Sequence, residues 1–197
     1  NVFGMTVRLD MEDDSLIQDT IDLCLHLNEK YKNVGIAIQA NMFRTKNDIV
    51  KLLTKNISLR LVKGAYKHDI SKAYQNQEQI RKMFIQNAFT ILSDRCRSYY
   101  HMRASNTVIS AIGTHDQEII EEIIKNMGSF NIHRENCDFE FLYGIRRDLS
   151  EQMKNDGYTV RLYVPFGKDW LPYTLRRLKE YKNLMFVVKN IFKEWKS

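Results

Sequence analysis

Six times along the sequence, a short apolar run rich in β-branched residues is followed by a longer stretch whose apolar residues recur every three or four positions. The first pattern is typical of a buried strand and the second of an amphipathic helix. Strands that alternate with helices pair in parallel, so the sequence predicts a parallel sheet covered by helices. The predicted strands are residues 5–9, 35–39, 58–62, 107–112, 139–142 and 159–164. The predicted helices are residues 15–31, 45–55, 77–99, 116–127, 145–156, 170–180 and 183–195.

This periodicity leaves two architectures open, a closed barrel and an open doubly wound sheet. In both, the carboxyl ends of the strands meet at one rim, and ligands bind there. The sequence therefore predicts that the ligand site is built from the residues that end each strand or follow it. Those residues are Asp10, Glu12, Gln39, Lys63, Tyr66, Thr114, His115, Tyr143, Gly144 and Gly167.

Composition narrows the class of protein. The 197 residues are 44% hydrophobic and contain no apolar run long enough to span a membrane, which predicts one soluble domain. Cys24, Cys96 and Cys137 are far apart and odd in number, so we interpret them as reduced structural thiols. The net charge of +6 is spread without a basic run, which disfavours nucleic acid and is compatible with an anionic ligand or membrane surface. Nucleotide-binding glycine loops of the Walker and G-x-G-x-x-G types are absent from the sequence.

Two strand ends carry charged pairs that admit two interpretations each. Arg60 and Lys63 precede Gly64, where the backbone can approach a ligand closely, and together they would suit an anionic cofactor. Taken alone, the segment is better explained by Arg60 pairing with an acid inside the barrel. Asp10 and Glu12 have the spacing of paired carboxylates or metal ligands, but a salt bridge from Asp10 to a basic neighbour is equally compatible. The five histidines form no ligand cluster, so we expect no metal.

A third cluster lies on one face of the predicted helix 170–180. Tyr173, Arg176, Arg177 and Glu180 follow one another at relative positions 0, 3, 4 and 7. By default such a face is exposed to solvent. If the helix lies across the rim, the adjacent arginines instead form a fork that binds a carboxylate.

Seven motifs in the same order resemble the proline dehydrogenase family over essentially the whole chain. They are residues 9–13, 38–40, 60–66, 113–116, 139–144, 160–167 and 173–180. The resemblance implies a distorted (β/α)8 barrel, with FAD at the carboxyl ends of the strands and the last helix over the active site. The chain supplies about six of the eight units and begins where the third strand of the family would fall. We therefore expect residues 1–197 to be the catalytic barrel from strand three onward. If the first two strands are absent rather than cleaved or supplied by another chain, the first and last strands of this chain would be unpaired edges.

The resemblance also implies residue roles. Arg176 and Arg177 would bind the carboxylate of L-proline, Glu180 would orient them, and Asp10 would organise hydrogen bonds around the substrate. Tyr173, Leu142 and Tyr163 would pack around the pyrrolidine ring. Gln39 and Arg60 would contact the isoalloxazine ring of FAD. The remaining cofactor contacts would come from Lys63, Gly64, Ala65, Tyr66, Thr114 and His115.

The implied reaction is oxidation of L-proline to pyrroline-5-carboxylate by hydride transfer to FAD, with electrons passed on to a membrane quinone. The protein would be of the monofunctional type. It would be cytoplasmic and peripheral to the inner membrane in a bacterium, or mitochondrial in a eukaryote. Two alternatives stay open: a truncated or non-catalytic relative that no longer retains flavin, and another barrel flavoenzyme such as a folate reductase. The sequence does not determine the oligomeric state.

Overall fold

A computed structural model describes residues 5–65, 68–102, 110–134 and 137–168, and their side chains except those of 95–102. The strands are β1 (Val7–Leu9), β2 (Val34–Gln39), β3 (Ser58–Val62), β4 (Ala111–Gly113), β5 (Asp138–Leu142) and β6 (Thr159–Tyr163). The helices are α1 (Ile17–Tyr31), α2 (Thr45–Leu53), α3 (Gln77–Met102), α4 (Gln117–Ser129) and α5 (Arg147–Asn155). The predicted helices 170–180 and 183–195 lie outside the described residues.

The strands form one parallel sheet in the order β1-β2-β3-β4-β5-β6. This order decides between the two architectures left open by the periodicity. A doubly wound sheet reverses its strand order at a switch point, whereas consecutive right-handed crossovers place every helix on the same face. The described strands therefore form part of a (β/α)-barrel, which confirms the predicted fold class.

The hydrophobic core lies between the sheet and the helices. Alternate strand residues point to this outer face, among them Ile36, Leu61 and Phe139, which are fully buried. They pack in one cluster with apolar residues from the helices, such as Ile21 of α1 and Phe84 of α3. The other strand residues point to the inner face and are largely polar. The strands thus direct apolar residues to the helices, and all of them except β4 direct polar residues to the barrel interior.

Contacts across the inner face show how strongly the sheet curves. Arg8 of β1 donates a hydrogen bond to Glu140 of β5. With neighbouring strands about 4.8 Å apart, these two strands would be about 19 Å apart in a flat sheet. Their side chains can meet only because the sheet bends round toward closure.

The helix starts differ in detail from the sequence pattern. Ser15 and Gln18 resemble a capping box, but Asp13 is the residue that caps this region, since its carboxylate accepts from Ser15 N at 2.9 Å. A 3-10 turn at Asp14–Leu16 then leads into α1. Strand β4 was predicted at 107–112, and in the described residues it covers Ala111–Gly113.

The described residues contain no helix long and apolar enough to cross a membrane. Cys24 and Cys137 are both buried, and burial raises the pKa of the Cys24 thiol to about 11. The side chain of Cys96 lies outside the described residues.

Candidate functional site at the carboxyl ends of the strands

Four charged side chains form a continuous network on the inner face, close to the carboxyl ends of the strands. The carboxylate of Glu140 binds two arginines: Oε1 accepts from Arg8 Nη1, and Oε2 accepts from Arg60 Nε at 2.5 Å. Arg60 also donates through Nη1 to Asp10 Oδ1 at 2.9 Å. Arg8 reaches Ser58 Oγ at 3.3 Å through Nη2. We call Arg8, Glu140, Arg60 and Asp10 the interior ion network.

The register of the sheet explains why this network can form. Its members come from β1, β3 and β5 or the residues that follow them, and alternate strands fill the same layers of a barrel interior. The strands between contribute only small residues at these levels. Ala37 pairs with Arg60 on one side, Ala111 pairs with it on the other, and Gly113 pairs with Glu140. The absence of bulk on β2 and β4 leaves room for the long side chains to cross.

Three of the four side chains in the interior ion network are largely buried. Arg8, Arg60 and Glu140 expose 12%, 15% and 7% of their side chains, whereas Asp10 exposes 50% at the rim. Burial lowers the pKa of Arg8, and the negative charge of Glu140 opposes that shift. Burying these arginines is tolerable because a carboxylate lies between them.

Arg60 is held on three sides. Besides its two carboxylate partners, its guanidinium lies over the ring of Tyr163, 5.2 Å from the ring centroid. Its Nη2 atom has no hydrogen-bond partner among the described residues. The structure thus brings together Asp10, Arg60 and Tyr163. It confirms the two structural interpretations, namely the Asp10 salt bridge and the pairing of Arg60 with an interior acid. Arg60 nevertheless keeps hydrogen-bonding capacity at the rim.

A second group of polar residues surrounds the end of β2. The buried amide of Gln39 donates through Nε2 to Glu12 O at 2.9 Å, and its Oε1 lies 3.1 Å from His68 Nε2. Both polar atoms of this amide therefore already contact protein. A direct contact of Gln39 with a ligand would use its second N–H or its second oxygen lone pair.

Asn41 and Gly64 meet where the loops after β2 and β3 approach each other. Gly64 has φ +98°, and a Cβ on it would lie 2.2 Å from Asn41 Oδ1, so only glycine fits. Asn41 is 5% exposed, and its Oδ1 has no hydrogen-bond partner in the described part of the chain. A buried acceptor left unsatisfied is costly unless a ligand supplies a donor. Ala65, next along the loop, is exposed, and Tyr66 lies outside the described residues.

The third group lies between β3, β4 and β5. Lys63 Nζ is 2.6 Å from Asp116 Oδ2, and Asp116 caps α4 by accepting from Ile119 N. Burial raises the pKa of Asp116, but the hydrogen bond and positive charge of Lys63 outweigh it, so the pKa lies below its usual value. Thr114 is buried and accepts through Oγ1 from Asp116 N at 3.2 Å. This cluster fixes the start of α4 against the end of β3.

His115 is held between β4 and β5. Its Nε2 accepts a hydrogen bond from Leu142 N at 2.8 Å, and its ring packs edge-on against Phe141. Since Nε2 acts as the acceptor, the imidazole in this arrangement is neutral and carries its proton on Nδ1. The contact joins two predicted site residues, His115 and Leu142, which is itself buried.

Four predicted substrate residues and one predicted cofactor residue lie outside the described residues. They are Tyr173, Arg176, Arg177 and Glu180 on the substrate side and Tyr66 on the cofactor side. The spacing of Asp10 and Glu12 raised the alternative of a metal, and in the described ranges no group of three or more His, Cys, Asp or Glu is placed to hold one.

Sequence reasoning missed three residues of the site: Arg8, Glu140 and Asn41. For Glu140 a signal existed, because a glutamate between Phe139 and Phe141 in a buried strand must point away from the face that those rings occupy. The sequence predicted that Arg60 pairs with an interior acid, but nothing in it identified Glu140 as that acid or Arg8 as the second partner.

The winding order and the polar strand ends define a (β/α)-barrel protein of the kind that binds ligands at its carboxyl-terminal rim. Residues 2–189 match the proline dehydrogenase family, and the chain belongs to that family. It is 31% identical over 193 residues to proline dehydrogenase 1 of Bacillus subtilis subsp. natto, covering 98% of this chain and 60% of that protein. It is also 31% identical over 194 residues to proline dehydrogenase of Deinococcus radiodurans, covering 97% of this chain and 59% of that protein.

Solved structures agree on the fold. Proline utilization A from Bdellovibrio bacteriovorus, inactivated by N-propargylglycine, superposes with a TM-score of 0.76 at 23% identity, covering 88% of this chain and 19% of that one. The corresponding protein from Corynebacterium freiburgense gives a TM-score of 0.69 at 19% identity, covering 93% and 21% of the two chains. At this identity the likeness concerns the barrel architecture.

Proposed function

We propose that the protein is an FAD-dependent proline dehydrogenase that oxidises L-proline to pyrroline-5-carboxylate. Family membership supports this activity, although the chain spans about 60% of the length of the first curated relatives it matches. The observation that carries the proposal is Arg60, a largely buried arginine in β3 that Glu140 and Asp10 hold by Nε and Nη1, so that Nη2 has no hydrogen-bond partner among the described residues. Bound FAD would supply the hydride acceptor, and the protein would bind, orient and polarise.

The residues at the rim fit a flavin. Arg60 Nη2 offers donors to the acceptor-rich edge of an isoalloxazine ring, and the unsatisfied Asn41 Oδ1 offers an acceptor to an N–H or O–H of the cofactor. Gly64 keeps the backbone close to this place. Lys63 and the neutral His115 would lie toward the ribityl, phosphate and adenine portions, together with Thr114. In the structure Lys63 is paired with Asp116, so a phosphate contact would share that ammonium group.

The substrate side would be formed by Asp10, Tyr163 and Leu142, with Arg176 and Arg177 binding the carboxylate of proline. A planar guanidinium fork matches a carboxylate better than an ammonium group does. Tyr173 would pack on the pyrrolidine ring and Glu180 would orient the two arginines. Proline must lose one proton from its ring nitrogen before it can release a hydride. In this proposal Asp10, which is half-exposed, would organise the hydrogen bonds around the substrate.

Electrons would leave the flavin to a membrane quinone, so we propose peripheral association with a membrane. The net charge of +6 favours contact with an anionic surface. The proposed location is the cytoplasmic face of the inner membrane in a bacterium, or the mitochondrion in a eukaryote.

The visible spectrum of the purified protein tests this function. We expect a yellow protein that is bleached by L-proline without oxygen and is not bleached by a nicotinamide donor. A colourless protein that stays colourless after FAD is added and the excess removed would favour the non-catalytic relative. A yellow protein bleached only by the nicotinamide donor would favour another barrel flavoenzyme.

A further inference from the structure

We propose that Glu140 is a positioning residue that fixes Arg60 and sets the charge facing the flavin. This inference rests on the proposed function, because it assumes that a flavin binds beside Arg60. It assigns a role to an interior carboxylate that is not part of the substrate pocket itself.

The geometry limits how Arg60 can move. Glu140 binds Arg60 Nε, the nitrogen nearest the aliphatic stem, and Asp10 binds Nη1 at the far end of the group. Tyr163 covers the flat face. These three contacts fix the plane of the guanidinium and leave Nη2 as the atom available to a ligand. Of the two carboxylates, Glu140 is the buried one, so it makes the contact that water competes for least.

The interior ion network carries no net charge when all four of its side chains are ionised. Arg8 and Arg60 contribute two positive charges, and Glu140 and Asp10 contribute two negative charges, which sum to zero. Neutralising Glu140 would leave one net positive charge, with two arginines facing each other in a poorly hydrated interior. A hydride adds one negative charge to a flavin, so the charge of the network acts differently on the oxidised and reduced cofactor.

Two substitutions should move the flavin in opposite directions. Glu140→Gln removes a negative charge and should raise the two-electron midpoint potential, by about 30 mV for a tenfold change in preference for reduced over oxidised FAD. Arg8→Met removes a positive charge from the same network and should lower the potential. The double variant Arg8→Met/Glu140→Gln restores the balance and should return close to wild type.

Asp138 provides a matched control. It is another buried carboxylate on the inner face of β5, paired with Arg161 at 2.6 Å. It lies two residues before Glu140, about 6.6 Å farther from the rim. Asp138→Asn also neutralises a buried carboxylate and breaks its ion pair with the half-exposed Arg161, which should destabilise the protein. It should shift the potential much less than Glu140→Gln.

The experiment is a spectroscopic redox titration of the FAD-loaded variants, with thermal unfolding recorded in parallel. Opposite shifts for Glu140→Gln and Arg8→Met, cancelling in the double variant, are the expected result. Potentials that stay at the wild-type value while stability falls would overturn the proposal and leave Glu140 a purely structural residue. If Glu140→Gln does not fold, Arg8→Met and the double variant still decide. A wild-type protein that binds no FAD would instead refute the proposed function.

Discussion

Arg60 combines a structural contact with a rim position. Sequence alone offered these as competing interpretations, a cofactor contact or an interior salt bridge. The structure places the side chain in two salt bridges and leaves Nη2 without a hydrogen-bond partner among the described residues. Because a guanidinium has five N–H donors, pairing with interior acids does not exhaust its capacity to bind a ligand. Residue type and strand position predicted that Arg60 and Asp10 lie near the strand ends. The inward direction of Glu140 could have been predicted from the two phenylalanines that flank it in β5.

Arg176 and Arg177, which we propose to bind the carboxylate of proline, form the carboxylate clamp. Replacing Arg176 or Arg177 with Met should weaken proline binding by about 2 to 4 kcal/mol, since the carboxylate loses a charge-assisted bidentate contact. Replacement with Lys should also impair binding, because an ammonium group is not a planar fork. The Michaelis constant for proline reports the effect. Arg147→Met, on the exposed face of α5, serves as control, and unchanged constants in both clamp variants would contradict the assignment.

At the scale of elements, the strand ends are joined to the helix starts. Asp116 caps α4 and binds Lys63, so one side chain ties the start of a helix to the end of β3. The sequence indicated a polar rim here, with a helix starting at 116. It could not indicate the Lys63 contact, because the two residues are far apart in the chain and their approach depends on the register of β3 with β4.

Replacing Asp116 separates these two roles. Asp116→Ala should cost about 1 kcal/mol of unfolding free energy through the lost cap alone, while Asp116→Asn keeps a capping side chain and loses the charge. The folded pKa of Asp116 is lowered, so its ionisation stabilises the fold above the unfolded pKa of about 3.9, and that stabilisation is lost as the pH falls through the folded pKa. In urea unfolding, the free energy of unfolding of the wild type should therefore exceed that of Asp116→Asn at pH 7. The two values should converge at acidic pH. A difference that does not change with pH would refute the ionic contribution.

At the scale of the whole molecule, the barrel directs apolar residues outward and charged residues inward. The alternation of strands and helices predicted the elements and their parallel pairing. It could not choose the barrel, because periodicity within a strand carries no information about which strands become neighbours. The same limit hid the interior ion network, whose members meet only because the sheet curves.

The location of the core can be tested by truncating leucines. Leu61, on the outer face of β3, is fully buried, and Leu61→Ala should cost about 2 to 5 kcal/mol of unfolding free energy. Leu23 on α1 is 49% exposed, and the same substitution there should change stability by about 0.5 kcal/mol or less. Urea unfolding of both variants measures the contrast, and equal effects would contradict the assignment of the core to the outer face.

We propose that the carboxyl ends of the strands hold a flavin against which proline is oxidised. A crystal structure of the protein with FAD and an unreactive proline analogue would test this proposal. We expect the isoalloxazine ring over the ends of β2 and β3, within hydrogen-bond reach of Arg60, and the carboxylate of the analogue between Arg176 and Arg177. A flavin bound elsewhere, or two arginines turned toward bulk solvent, would contradict it.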